Sequence, residues 1–145
     1  MVQTTIMQTG LQTTGGRFEV AVASGAVLDL VRVSGSDTVS PADTTTNDRY
    51  AVGFISRLSY PVAGRGLVMV QGVLDGFVPN VGIPLGLTPN KRYILASNPG
   101  LIVAVDDTGN PNYPLPGQFL QYVGFGLTGT RLLVNISPVL MEISP

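Results

Sequence analysis

A chain of 145 residues in which 44% of side chains are hydrophobic and only 12% charged is long enough for one domain with a core of its own. Eight basic and nine acidic groups, scattered singly to a net charge of −1, leave no basic patch and exclude a nucleic-acid-binding surface. The absence of His and Cys removes the commonest general base, the thiolate nucleophile and any disulfide framework.

The charged fraction is about half the roughly 25% usual for globular domains, so a monomer would have difficulty covering its surface. No apolar run approaches the ~18 residues of a membrane helix, so the missing polarity points to subunit interfaces rather than to lipid. An obligate oligomer is expected.

Met1 to Gly16 is rich in Thr and Gln, with isolated Ile6, Met7 and Leu11. It has too little apolar content to pack alone and reads either as a frayed terminus or as an arm that adds a strand to a neighbouring subunit or a larger shell. It carries neither a basic n-region nor an apolar h-region, so synthesis and assembly in the cytoplasm are expected. From Arg17 to Ala23, Phe18, Val20 and Val22 alternate with Arg17, Glu19 and Ala21, the period of a half-buried strand. Ala26 to Val33 reads as a second strand, apolar on both faces and therefore covered, closed by Ser34-Gly35-Ser36-Asp37. Ser40 to Asp48 reads as a polar loop. Tyr50 to Leu58 is a strand whose Ala51-Val52-Gly53-Phe54 echoes Tyr122-Val123-Gly124-Phe125, through either a weak duplication or a shared demand for close packing at glycine. Leu67 to Val73 alternates as another largely buried strand, and Gly76, Pro79, Gly82 and Pro84 then interrupt regular structure.

Ile83 to Ile136 is a meander. Pro89 and Asn90 suit the second and third positions of a tight turn over Thr88 to Lys91, and Asn98-Pro99-Gly100 repeats that chemistry. Ile102 to Val105, Phe119 to Leu127 and Arg131 to Ile136 read as short strands. The tail from Ser137 to Pro145 stays apolar and is expected to pack on the subunit or on a partner. The chain thus divides into an N-terminal arm (1–16), an all-β domain (17–136) and an apolar C-terminal tail (137–145). No segment has a 3.6-residue apolar period, and 18 Gly with 11 Pro fit a single small barrel or sandwich of short strands.

The chemistry-bearing residues form no catalytic set, and neither a metal nor another cofactor is expected. Lys91, the one lysine, sits in a turn beside Arg92. Asp106-Asp107-Thr108-Gly109-Asn110 lacks the spacing and terminal Glu of an EF-hand, and Asp43 and Asp48 fare no better. Gly64-Arg65-Gly66 is too short for a phosphate cradle. Asn135-Ile136-Ser137, formally a glycosylation sequon, falls within a strand. Tyr60, Phe77, Tyr93, Tyr113, Phe119, Tyr122 and Phe125 form either a carbohydrate or receptor platform or, since most lie in strand patterns, core and interface packing. Tyr113, between Asn112 and Pro114 in the long loop, is the one expected to be an exposed contact.

The segments Gly86-Leu87-Thr88-Pro89, Arg92-Tyr93-Ile94-Leu95, Asn98-Pro99-Gly100, Val123-Gly124-Phe125 and Thr128 to Ile136, with Gly25 to Val33 and Tyr50 to Ile55 upstream, resemble the small all-β decoration or cement proteins of bacteriophage heads. The resemblance covers roughly residues 20 to 136 and carries no catalytic signature. Asn90 departs from it by standing where Gly would be expected, and the Asp106 to Gly117 loop by its length. Related wording occurs in phage tail and fibre modules. The resemblance implies a homotrimeric virion protein on the outer surface of the capsid, whose partners are its own copies and the major capsid protein, with no nucleic acid and no membrane. Val2, Thr4, Ile6 and Leu11 of the arm and Val139, Leu140, Met141 and Ile143 of the tail are the expected inter-subunit and shell contacts. The alternative is a receptor- or glycan-binding module of a phage tail or fibre.

Overall fold

The structure, a computed structural model, describes residues 2–3 and 16–145. The expected arm contacts Thr4, Ile6 and Leu11 lie outside the described residues. Five strands close into a barrel: β2 (Arg17–Val22), β3 (Leu30–Gly35), β4 (Thr38–Pro41), β5 (Gly53–Leu58) and β6 (Arg65–Met69), following a short β1 (Val2–Gln3). Their order around the barrel is β2-β4-β3-β5-β6, and β6 pairs back onto β2. All pairs are antiparallel except β2 with β4. On β2, Phe18 and Val20 point into the barrel and Arg17 and Glu19 point out, as the alternation predicts.

Two expectations for this half are corrected. The strand expected from Ala26 starts only at Leu30, because the Asp29 carboxylate accepts the Ala26 N–H at 2.9 Å and holds Val27 and Leu28 in a turn. Short acidic side chains compete in this way with a ladder for backbone partners. Conversely, part of the expected polar loop is β4, which runs back along β3 after the Ser36-Asp37 turn. Fully buried Val39 anchors that strand among polar neighbours.

Beyond the barrel the chain builds an antiparallel five-stranded sheet from β7 (Gln71–Asp75), β8 (Arg92–Leu95), β9 (Ile102–Ala104), β11 (Tyr122–Gly126) and β12 (Arg131–Asn135), ordered β7-β12-β11-β8-β9. A third sheet sets β13 (Val139–Glu142) between β1 and β10 (Phe119–Leu120). The run read as one strand over Leu67 to Val73 is therefore two, split at Val70, whose N–H bonds the Gly16 carbonyl at 2.6 Å. The Phe119 to Leu127 run is likewise split at Gln121. At each split the chain leaves one sheet for another.

Both predicted turns form. Lys91 N–H reaches the Thr88 carbonyl at 3.2 Å with Asn90 at φ 66°, and Gly100 sits at φ 81°. Gly53 and Gly124, the glycines of the echoed segments, share a packing demand. A Cβ on Gly53 would lie 2.6 Å from the Met69 carbonyl oxygen, and one on Gly124 would lie 2.3 Å from that of Leu133.

A main apolar core joins barrel and sheets, and a second, smaller cluster of Ile94, Ala96 and Val103 has Tyr113, Leu120 and Tyr122 packed against it. The main core runs from Phe18, Leu30 and Val68 through Phe54, whose ring meets Phe77 edge-on at 5.7 Å, to Leu132, Val134 and Leu140. The described residues are all-β, and no helix among them is long and apolar enough to cross a membrane.

Candidate functional site

Most polar groups singled out in the sequence are engaged within the chain. Asp43, 2% exposed, accepts the Thr45 N–H at 3.0 Å, the Thr45 hydroxyl and the Arg49 guanidinium at 3.1 Å. Burial pushes its carboxyl up, but these donors outweigh burial and hold it below its ordinary value of 3.8. Asp48 is also held low, first by the Thr46 hydroxyl. Asp106 pairs with Lys91 at 3.1 Å, and buried Asn110 donates to Asp107 at 3.0 Å. Among the described residues no three acidic side chains gather to hold a metal ion.

The tail residues are integral to the fold. Leu140 is 1% exposed in the core, while Val139, Met141 and Ile143 are half-buried. The Val2 and Gln3 backbone pairs with Leu140 and Val139, so the start of the arm meets the tail within one chain. As part of the core, Leu140 is withdrawn from the expected contact set. Tyr113 is not the exposed contact expected of it: it is half-buried, packs near Ile94 and Val103, and donates its hydroxyl to the Val105 carbonyl at 2.8 Å. It pins the long loop over one end of the five-stranded sheet.

Among the described residues, Tyr60 is exposed with the Arg57 guanidinium over its ring at 4.5 Å, and two further surfaces stand out. The first is the loop between β7 and β8, where Val78 (57% exposed), Val81 (64%) and Leu85 (95%) face outward while Phe77, Ile83 and Leu87 anchor the loop in the core. Val27 joins Val78 at the rim of a small cleft. In sequence the segment signalled only interrupted structure, because anchor and display residues alternate without a period.

The second surface is the outer face of the five-stranded sheet. Val73, Leu133, Phe125 and Arg92 stand in one row across β7, β12, β11 and β8, flanked by the pairs Asp75–Arg131 and Gln71–Asn135. Beside this row, Arg92, Tyr122, Phe125, Asn135, Ser137 and Pro138 line a cleft of about 380 Å³. The Arg92 guanidinium lies over the Tyr122 ring at 5.4 Å. Of the aromatic residues weighed from sequence, Phe77, Tyr93 and Phe119 are buried in the core, whereas Tyr122 and Phe125 meet at this cleft.

No protein-family model matches the chain, and no curated protein matches it in sequence.

Proposed function

We propose that this chain is a non-enzymatic structural virion protein, a decoration or cement protein that binds the outer surface of an assembled phage head as a homotrimer and stabilises it against internal pressure. The observation that carries this reading is the apolar loop between β7 and β8: Val78, Val81 and Leu85 stand in water although the loop is firmly anchored. Burying one such Val or Leu gains about 1.5–3 kcal/mol, so a trimer offers three modest contacts that act together. The resemblance of the turn-and-strand wording to phage decoration proteins supports the same reading, and near-neutral charge suits a surface remote from packaged DNA.

The mechanism is linkage. A protein that binds the assembled shell and not its dissociated subunits stabilises the shell by its binding free energy, multiplied over many sites. Three-fold positions on a shell match the symmetry of a trimer. The reading is tested by light scattering for mass, followed by cosedimentation with expanded, undecorated phage capsids. A trimer that saturates the shells and raises their bursting temperature is the expected result, with Leu85→Asp reducing uptake while the fold persists. A protein that ignores capsids and adheres to host cells would instead establish the second reading, a receptor- or glycan-binding module of a tail or fibre, which the Tyr122–Phe125 cleft favours.

A further inference from the structure

In a regular strand, residues three apart face opposite sides. Between β11 and β8 the register passes from Tyr122 opposite Ile94 directly to Gly124 opposite Tyr93, a bulge that turns both Val123 and Gly124 inward. Tyr122 and Phe125 consequently emerge on the same, outer face, where both line the cleft. Bulges commonly re-aim side chains in this way beside binding sites. The bulge is also sterically fixed, because the Leu133 carbonyl occupies the space that a Cβ on Gly124 would need.

The polar groups at this cleft are directed outward. Arg92 is exposed, sits opposite Phe125, and has no carboxylate within salt-bridge distance among the described residues. Lying over the Tyr122 ring, a guanidinium keeps its in-plane N–H edge available for a bidentate acceptor. Asn135 is exposed across the cleft, and its amide makes no hydrogen bond among the described residues. The Ser137 hydroxyl accepts the Val139 N–H at 3.1 Å and so fixes the β12–β13 connection that forms one wall. The volume of about 380 Å³ lies in the lower part of the range of small-ligand sites, roughly 300–1,000 Å³.

The Phe125 ring surface, one flat cation held over Tyr122 and one open amide match a ligand with an apolar C–H face, a carboxylate and hydroxyl groups. We infer that the cleft is a binding site for a carboxylate-bearing sugar, a hexuronate residue of an acidic polysaccharide. The carboxylate takes the edge of Arg92, which stays over the Tyr122 ring, the sugar's C–H face stacks on Phe125, and a hydroxyl pairs with Asn135. An isolated acidic side chain of another protein would satisfy Arg92 but leave the Phe125 ring uncovered. The site is independent of where the protein sits in the virion. On an outer surface it would give each particle many weak attachment points, whose avidity grows with copy number.

The experiment uses the full chain and three probes, methyl glucuronide, methyl glucoside and acetate, followed by chemical-shift changes and tyrosine fluorescence. Saturable binding of the glucuronide is expected, with the glucoside and acetate each at least about tenfold weaker. Arg92→Met should abolish that preference and Asn135→Ala should weaken binding several-fold, while an unchanged circular dichroism spectrum shows that the barrel persists. Absence of saturable glucuronide binding overturns the inference. So does equal binding of the glucoside, which removes the role of Arg92, or equal binding of acetate, which removes the role of the Phe125 ring. Glucuronide binding that survives Arg92→Met would place the site elsewhere and overturn it too. The probes act on the isolated protein, so failure here leaves the capsid reading untouched.

Discussion

Gln121 does more for this fold than its place between two short strands suggests. Its side chain is fully buried, accepting the Ala51 N–H at 2.8 Å and donating to the carbonyls of Ala51 at 2.9 Å and Ser137 at 3.0 Å. It thus acts as an extra peptide group, joining the approach to β5 in the barrel to the link between β12 and β13. Gln121→Ala would leave Ala51 with an unmatched donor and acceptor and open a cavity. A loss of about 3–5 kcal/mol is expected, measured by urea unfolding. Asp43 gives the residue scale a pH signature. Its folded carboxyl ionises below the unfolded one, so its contribution is complete above the unfolded value and is lost as pH falls through the folded one. Asp43→Asn should cost about 2 kcal/mol at neutral pH and flatten the decline of stability as pH falls through and below the ordinary carboxylate range. A variant with the parental slope would assign the acid sensitivity to other carboxylates.

Among the elements, β11 concentrates both packing and display. With Val123 fully buried and Gly124 against the Leu133 carbonyl, its inner side leaves no space, and Gly124→Ala must push β11 away from β12. Such overpacking costs about 1–3 kcal/mol, visible as a lowered melting temperature, and should disturb the cleft that Tyr122 and Phe125 line. The turns beside this strand were legible from sequence because Pro89-Asn90 and Pro99-Gly100 carry their conformations locally. β4 was not, since Val39 becomes a strand anchor only when β2 and β3 enclose it. The breaks at Val70 and Gln121 were hidden because apolar alternation continues unchanged while the chain moves between sheets. Nor was the cleft legible: it needs the bulge in β11, the adjacency of β8 and the return of Ser137, none of which a one-dimensional pattern contains.

At the scale of the whole molecule, the barrel and the sheets share the main core, so segments that look peripheral in sequence differ in what they hold. β1 adds two residues to one edge of β13, whereas β13 is the central strand of its sheet and sends Leu140 into the common core. Removing Val2 and Gln3 should therefore leave the barrel and the five-stranded sheet intact and lower the melting temperature only slightly. Removing residues 137–145 deletes the partner of β10, withdraws the Ser137 carbonyl from Gln121, and uncovers Phe119. The loss of Leu140 alone is worth about 2–5 kcal/mol, a large share of the total stability of a domain this size. Thermal unfolding of the two truncations decides the matter. If the C-terminal truncation melts close to the full chain, the tail is an appendage available to partners, and the withdrawal of Leu140 from the contact set must be reversed. If it unfolds while the N-terminal truncation does not, binding defects caused by changes in the tail reflect loss of fold, and the loop bearing Val78, Val81 and Leu85 becomes the surface on which the contacts of the proposed decoration role should be sought.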